Sequence, residues 1–199
     1  MDTNRLNHPF FVFIGPSGSG KTKVAEAVFP KEAKVISHTT RSRRYDEQVG
    51  VDYYFNSKEQ FTSLIQTNAL AEFDCYNGYY YGVAIRDLLE KTTNQAAYDV
   101  LTYQGYEQIA RQFEKSVIAI FLNVSRENVK KRLEARGESS NSIQERLALY
   151  TKDMQTQKKL IHNKQAIIID ANQPFKEVVA AVKSRVNQQI DKWDAEGMK

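Results

Sequence analysis

The chain of 199 residues holds one cysteine, four prolines and one tryptophan, and it has no long hydrophobic run. A lone Cys75 cannot close an internal disulfide, which points to a reducing cytoplasm, and a semi-buried strand position is the expected place for it. No apolar stretch approaches the roughly 20 residues that cross a bilayer. Met1-Asp2-Thr3-Asn4-Arg5 leads straight into the first apolar run without the core of a secretory leader. Charge of one sign is also scarce: the net charge is +4, and the basic residues are scattered rather than gathered into the stripe that a duplex would need. His8, His38 and His162 have no metal-ligand spacing and are expected in structural roles. These absences exclude membrane and nucleic-acid partners and leave a cytoplasmic protein, monomer or homodimer, acting on small molecules.

What is present is the balance of an ordinary globule, 41% hydrophobic and 26% charged. The length suits one α/β domain with small insertions. Pro9-Phe10-Phe11-Val12-Phe13-Ile14 reads as a buried strand, Lys21 to Phe29 as a helix, and Lys34-Val35-Ile36-Ser37 as a second strand. Ser116 to Val124 and Ala166 to Ile169 are nearly all apolar, as parallel strands covered on both faces are. Residues 42 to 83 break the alternation with a charged loop, a short helix from Ser57 to Gln66 and a tyrosine-rich run from Tyr76 to Tyr81, which suggests antiparallel hairpins in an insert. Arg136 to Asn141 reads as a mobile polar cover between two basic helices. Val178, Val179, Val182, Val186 and Ile190 space a final helix to pack on the sheet.

Between the first strand and first helix stands Gly15-Pro16-Ser17-Gly18-Ser19-Gly20-Lys21-Thr22, which satisfies G-x-x-x-x-G-K-[ST], the Walker A pattern. Glycines at 15, 18 and 20 allow backbone N–H groups to turn inward around an anion. The helix N-terminus adds its positive dipole end. In this P-loop, Gly15, Ser17, Gly18, Ser19, Gly20, Lys21 and Thr22 are the candidate ATP-binding residues. Lys21 reaches the β- and γ-phosphates, and Thr22 is the candidate ligand of Mg²⁺.

Further motifs follow in order: Ser37-His38-Thr39-Thr40-Arg41, Arg44, Glu47, Gly50, Asp52-Tyr53-Tyr54-Phe55, Glu72, Gly78-Tyr79-Tyr80-Tyr81-Gly82, Gln104-Gly105, Lys131 to Gly137 and Arg146-Leu147. From about residue 9 to 185 the chain resembles the guanylate kinases. The resemblance implies an α/β fold: a P-loop three-layer core with a parallel sheet (about 1–41, 84–125 and 147–199), a nucleotide-monophosphate-binding insert (about 42–83) and a helical lid (about 126–146) in one domain spanning 1–199. It implies ATP-dependent phosphorylation of GMP to GDP with Mg²⁺. Arg41, Arg44, Tyr53 and Tyr81 match ligands of the acceptor phosphate, and paired guanidiniums suit a dianion. Glu72 and Ser37 match groups that touch guanine. Arg132, Arg136 and Arg146 match lid residues that close on the triphosphate. With Lys21 and Arg41 they form the candidate catalytic set.

This sequence also departs from the family's pattern. Val83 stands where a hydroxyl residue usually contacts the base. Val100 and Thr102 fall where two aspartates belong, with Asp99 one residue out of register. Asp170 replaces an asparagine. Tyr80-Tyr81-Gly82-Val83 is also similar to ribose 1,5-bisphosphate phosphokinases, so a sugar-phosphate kinase is a second reading. A non-catalytic phosphopeptide-binding module is a third.

Overall fold

The structure is a computed structural model describing residues 5–76, 78–162 and 166–197. Met1-Asp2-Thr3-Asn4 and Asn77 of the tyrosine-rich run lie outside the described residues, as does the side chain of His162. In chain order the elements are β1 (Phe10–Ile14), α1 (Lys21–Val28), β2 (His38–Thr39), β3 (Tyr54–Phe55), α2 (Lys58–Gln66), β4 (Leu70–Tyr76), β5 (Tyr79–Ala84), α3 (Ile85–Lys91), β6 (Ala97–Val100), α4 (Tyr103–Phe113), β7 (Val117–Asn123), α5 (Arg126–Ala135), α6 (Ser140–His162), β8 (Ala166–Asp170) and α7 (Phe175–Gly197). A parallel sheet runs in the order β6-β1-β7-β8, and a second sheet runs β3-β2-β5-β4. The chain forms two compact units, one of residues up to Phe11 with Lys31–Val117, the other of Val12–Pro30 with residues from Ile118 onward.

In the first unit, β6 joins the start of β1 through the Ala97 N–H, which donates to Pro9 O at 3.0 Å. The second sheet is built from short strands: β2 pairs parallel with β3 and antiparallel with β5, and β5 pairs antiparallel with β4. The hairpin suggested by the tyrosine-rich run is β4–β5. β4 is an edge strand, and glutamines of α4 cover its backbone, Gln108 Nε2 donating to Phe73 O at 2.8 Å and Gln112 Nε2 to Ala71 O at 2.7 Å. Ser57 caps α2 in a reciprocal box with Gln60.

Two local expectations change here. The segment 34–37 is not a strand. Lys34 makes a single parallel bridge to Tyr98, and by Ser37 the backbone already serves β3, accepting from Tyr54 N at 2.9 Å. The chain changes partner too soon to build a ladder in either sheet. Cys75 is exposed rather than half-buried, because β4 alternates Phe73 and Cys75 outward against Glu72 and Asp74.

In the second unit, β7 and β8 pair in parallel over Ala119–Asn123 and Ala166–Asp170. The end of β1 is fully buried because its residues are apolar on both faces. Helix α7 buries Val178, Val182 and Val186, and it packs chiefly on α1 and beside β8. The polar cover is shorter than expected. Helix α5 ends at Ala135, Gly137 turns with a φ of 73°, and α6 has begun by Ser140.

Candidate active site

The phosphate cradle lies in the second unit, between β1 and α1. Gly15 has a φ of 146°, and a Cβ there would come within 2.9 Å of Leu122 O on β7. Gly18 has a φ of 83°, and its missing side chain leaves room for Val129 and Leu133 of α5. These two contacts explain why glycine is required at the turn beyond the need to approach an anion. Lys21 Nζ donates to Gly15 O at 2.7 Å and Pro16 O at 3.0 Å, bending back over the loop. Burial lowers its pKa to about 8, against the attraction of Asp153 and with the repulsion of Arg136 and Arg146. Thr22 follows in the first turn of α1 with its side chain exposed.

The three predicted lid arginines divide. Arg132 donates to Ser19 O at 2.8 Å and to Ala171 O at 2.6 Å, tying α5 to the cradle and to the turn after β8. Arg146 donates to Ser17 Oγ at 2.7 Å and pairs with Glu138 at 2.8 Å. Arg136, at the C-terminal cap of α5, is exposed. Beside the cradle, Gly18, Gly20, Arg132, Ala171, Phe175 and Val178 line a cavity of about 290 Å³. Asp170 takes no part in that lining; it accepts hydrogen bonds from the Asn172 N–H and amide and from the Gln173 amide in a local turn.

One residue here was missed by sequence reasoning. Asp153 Oδ2 accepts from the Ser17 N–H at 3.4 Å, so a carboxylate rests against the cradle. Its signal was the seven-residue spacing from Arg146, two turns along one face of α6.

The acceptor residues lie in the first unit. Arg41 makes a forked pair with Glu47, Nη1 to Oε2 at 3.0 Å and Nη2 to Oε1 at 2.6 Å. Its guanidinium packs 5.5 Å from the centre of the Tyr53 ring, and that ring meets Tyr81 edge-on at 5.9 Å. Through the Tyr53 ring, Arg41, Tyr53 and Tyr81 form one cluster. Burial and Asp99 push the Tyr53 phenol up to about 12, keeping it a neutral donor. The Arg44 side chain is exposed, and its N–H donates to Glu47 at 2.9 Å. Glu47, a residue of the sequence pattern, organises both arginines.

Glu72 is 3% exposed. Burial, then the charges of Asp99 and Asp74, raise its pKa to about 8, against one hydrogen bond from the Val83 backbone. A Cβ on Gly105 would collide with its carboxylate, so glycine at the start of α4 makes room for the acid. Asp99, despite its shifted register, is turned inward: it accepts from Ser37 Oγ and from Val100 N, and burial raises its pKa to about 6. Ser37 is thus engaged by Asp99. Val83 is fully buried opposite Glu72 in the β4–β5 register. Thr102 caps α4, and its hydroxyl donates to Asp74 Oδ2 at 2.7 Å.

The guanylate kinase family model matches residues 8–189 of this chain. The chain belongs to the guanylate kinase family. Among its relatives, the guanylate kinase of Polaromonas sp. is 31% identical over 192 residues, covering 94% of this chain and 90% of that protein. That of Enterococcus faecalis is 31% identical, covering 92% and 93%. The guanylate kinase of Mycoplasma genitalium is 36% identical over 145 residues, 69% of this chain and 60% of that protein's length. In fold, the chain is similar to the guanylate kinase of Anaplasma phagocytophilum, with a TM-score of 0.69 at 22% identity over 94% of this chain and 88% of that one. Membership makes this family member a nucleoside monophosphate kinase by class, a phosphotransferase. Among the described residues, no helix is long and apolar enough to cross a membrane.

Proposed function

We propose that the protein transfers the γ-phosphoryl group of ATP to GMP, giving ADP and GDP. The observation that carries this reading is the buried Glu72 carboxylate, placed against Gly105 in the same unit as the Arg41–Tyr53–Tyr81 cluster. A carboxylate accepts two adjacent N–H groups, and guanine presents N1–H and the 2-amino group side by side, whereas adenine does not. The cluster supplies one guanidinium and two phenols for a phosphate dianion. Arg44 joins it when the phosphate replaces Glu47 as the partner of the arginines.

In the donor half, the N–H groups of residues 15 to 22 and Lys21 hold the triphosphate, and Arg132, Arg136 and Arg146 surround it with positive charge. Phosphoryl transfer needs alignment and charge neutralisation more than covalent help. The 290 Å³ cavity between Gly18 and Phe175 takes the nucleoside end of ATP. Mg²⁺ would lie on the ATP phosphates and neutralise charge that develops there. The residues present fit that arrangement: the exposed Thr22 hydroxyl would offer one ligand, and phosphate oxygens and water would supply the others. The insert (42–83) and lid (126–146) are the parts proposed to close over the nucleotides. A cytoplasmic site of action follows from the nucleotide pool that the reaction uses.

The test is ADP release with ATP·Mg²⁺ and each of GMP, dGMP, AMP, CMP, UMP and ribose 1,5-bisphosphate. Turnover highest with GMP is expected. Turnover of the sugar bisphosphate and none of GMP would replace this reading with the sugar-phosphate kinase. ATP binding without any turnover would favour the binding module.

A further inference from the structure

On the GMP reading, on which this inference rests, some polar groups of the acceptor unit have no assigned role. Asp74 is one. It lies two residues after Glu72 on β4, so both side chains leave the same face of the strand, about 7 Å apart at their origins. In the β4–β5 register Glu72 is opposite Val83 and Asp74 is opposite Tyr81. Asp74 therefore stands on that face between the buried carboxylate and a phenol of the phosphate cluster.

Its oxygens are held in a defined direction. Thr102 Oγ1 donates to Oδ2 at 2.7 Å, and the Cys75 N–H donates to Oδ1 at 2.8 Å. With its amide oriented to satisfy both groups, Gln104 donates to Oδ1 at 3.0 Å and Oδ2 at 3.2 Å. An ionised carboxylate offers about four acceptor directions: Thr102 and the Cys75 N–H take one on each oxygen and the Gln104 amide spans the other two, so a ligand N–H group takes the place of that amide. The side chain is half-buried rather than sealed in the core. Thr102 is at a position where the family pattern has an acid. The hydroxyl there now points a carboxylate from the neighbouring strand.

We propose that Asp74 is a base-reading residue, accepting the second proton of the guanine 2-amino group while Glu72 accepts N1–H and the first. The ligand class this selects is a 2-amino-6-oxopurine monophosphate. Thr102 acts as a positioning residue through its bond to Asp74. Val83, which has no side-chain hydrogen bond to offer, is thereby relieved of a reading role, and selection moves from β5 to β4.

The experiment compares kcat/KM for GMP and IMP, which lacks only the 2-amino group, in the wild type, Asp74→Asn and Thr102→Val. The wild type prefers GMP by about 30-fold or more. Asp74→Asn lowers that preference about tenfold, through KM for GMP, while kcat/KM for IMP stays within about threefold of wild type. Thr102→Val shifts the ratio the same way by a smaller factor. If Asp74 only anchors α4, GMP and IMP fall together and the ratio holds, which overturns the proposal. A wild type that uses GMP and IMP within threefold of each other overturns it without any variant. A wild type that turns over neither overturns the kinase reading itself, a result distinct from an unchanged ratio.

Discussion

Glu72 shows how one buried acid trades stability for recognition. An ordinary glutamate titrates near 4.5, and this one is held up to about 8. The native state therefore keeps the proton to higher pH than the unfolded chain does. The stability this contributes is whole below 4.5 and is lost progressively as pH rises toward 8. Glu72→Gln removes the penalty, so the ligand-free variant is expected to melt about 2–6 °C higher at pH 8 and to converge with wild type near pH 5. The same substitution removes charged acceptance of two N–H groups and is expected to lower kcat/KM for GMP by about 10²-fold or more. Thermal melts at both pH values and a GMP titration check it; a lower melting point at pH 8 contradicts the account. For the wild type, KM for GMP falls as pH rises from 6 toward 8, because the carboxylate must be ionised to accept. At this scale the sequence was informative where a residue's neighbours were fixed by motif. It was silent on Asp74, whose meaning depends on a hydroxyl 28 positions away in sequence.

Among elements, the P-loop was legible because its mechanism is local: buried strand, glycine turn, helix. Arg132 and Arg146 were legible as cations, though their bonds to Ser19 O and Ser17 Oγ are long-range facts of packing. The segment 34–37 misled because β-rich composition cannot say that a strand will change sheets after one bridge. The cradle supports two predictions. Gly15→Ala places a methyl 2.9 Å from Leu122 O and is expected to cost about 1–3 kcal/mol, with weaker ATP binding, as melting and nucleotide titration would show. Lys21, lowered to about 8 by burial, must carry its charge to hold phosphate, so KM for ATP is expected to rise above pH 8. A Lys21→Met variant loses most activity, by about 10²–10³-fold, and loses that pH dependence with it. A KM for ATP flat from pH 7 to 9.5 in the wild type would oppose the assignment.

For the whole molecule, the residues proposed to hold ATP lie in one unit and those proposed to hold GMP in the other. Hydrogen exchange can read this directly. GMP alone is expected to slow exchange over Ser37 to Ala84 and around Gly105, and ADP alone over residues 12 to 28 and α5. Protection of the cradle by GMP alone would argue against the assignment. The parallel sheet and the hairpin insert were both legible from the run of apolar strands and the tyrosine-rich stretch. The boundary between the units was not, because it falls inside β1, between Phe11 and Val12, where the sequence is uniformly apolar.

The narrow gap between Gly15 and Leu122 also has a consequence for how the protein is made. The ribosome releases the glycine turn early, yet the strand that backs it is translated only after the whole acceptor unit has been synthesised. Domains fold during synthesis at about 5–20 residues per second, so the nascent turn waits for several seconds without its support. A stalled chain ending before β7 should consequently bear a complete Walker A sequence and still fail to retain nucleotide. With the donor site proposed above, the ability to bind ATP is expected to arrive late in translation.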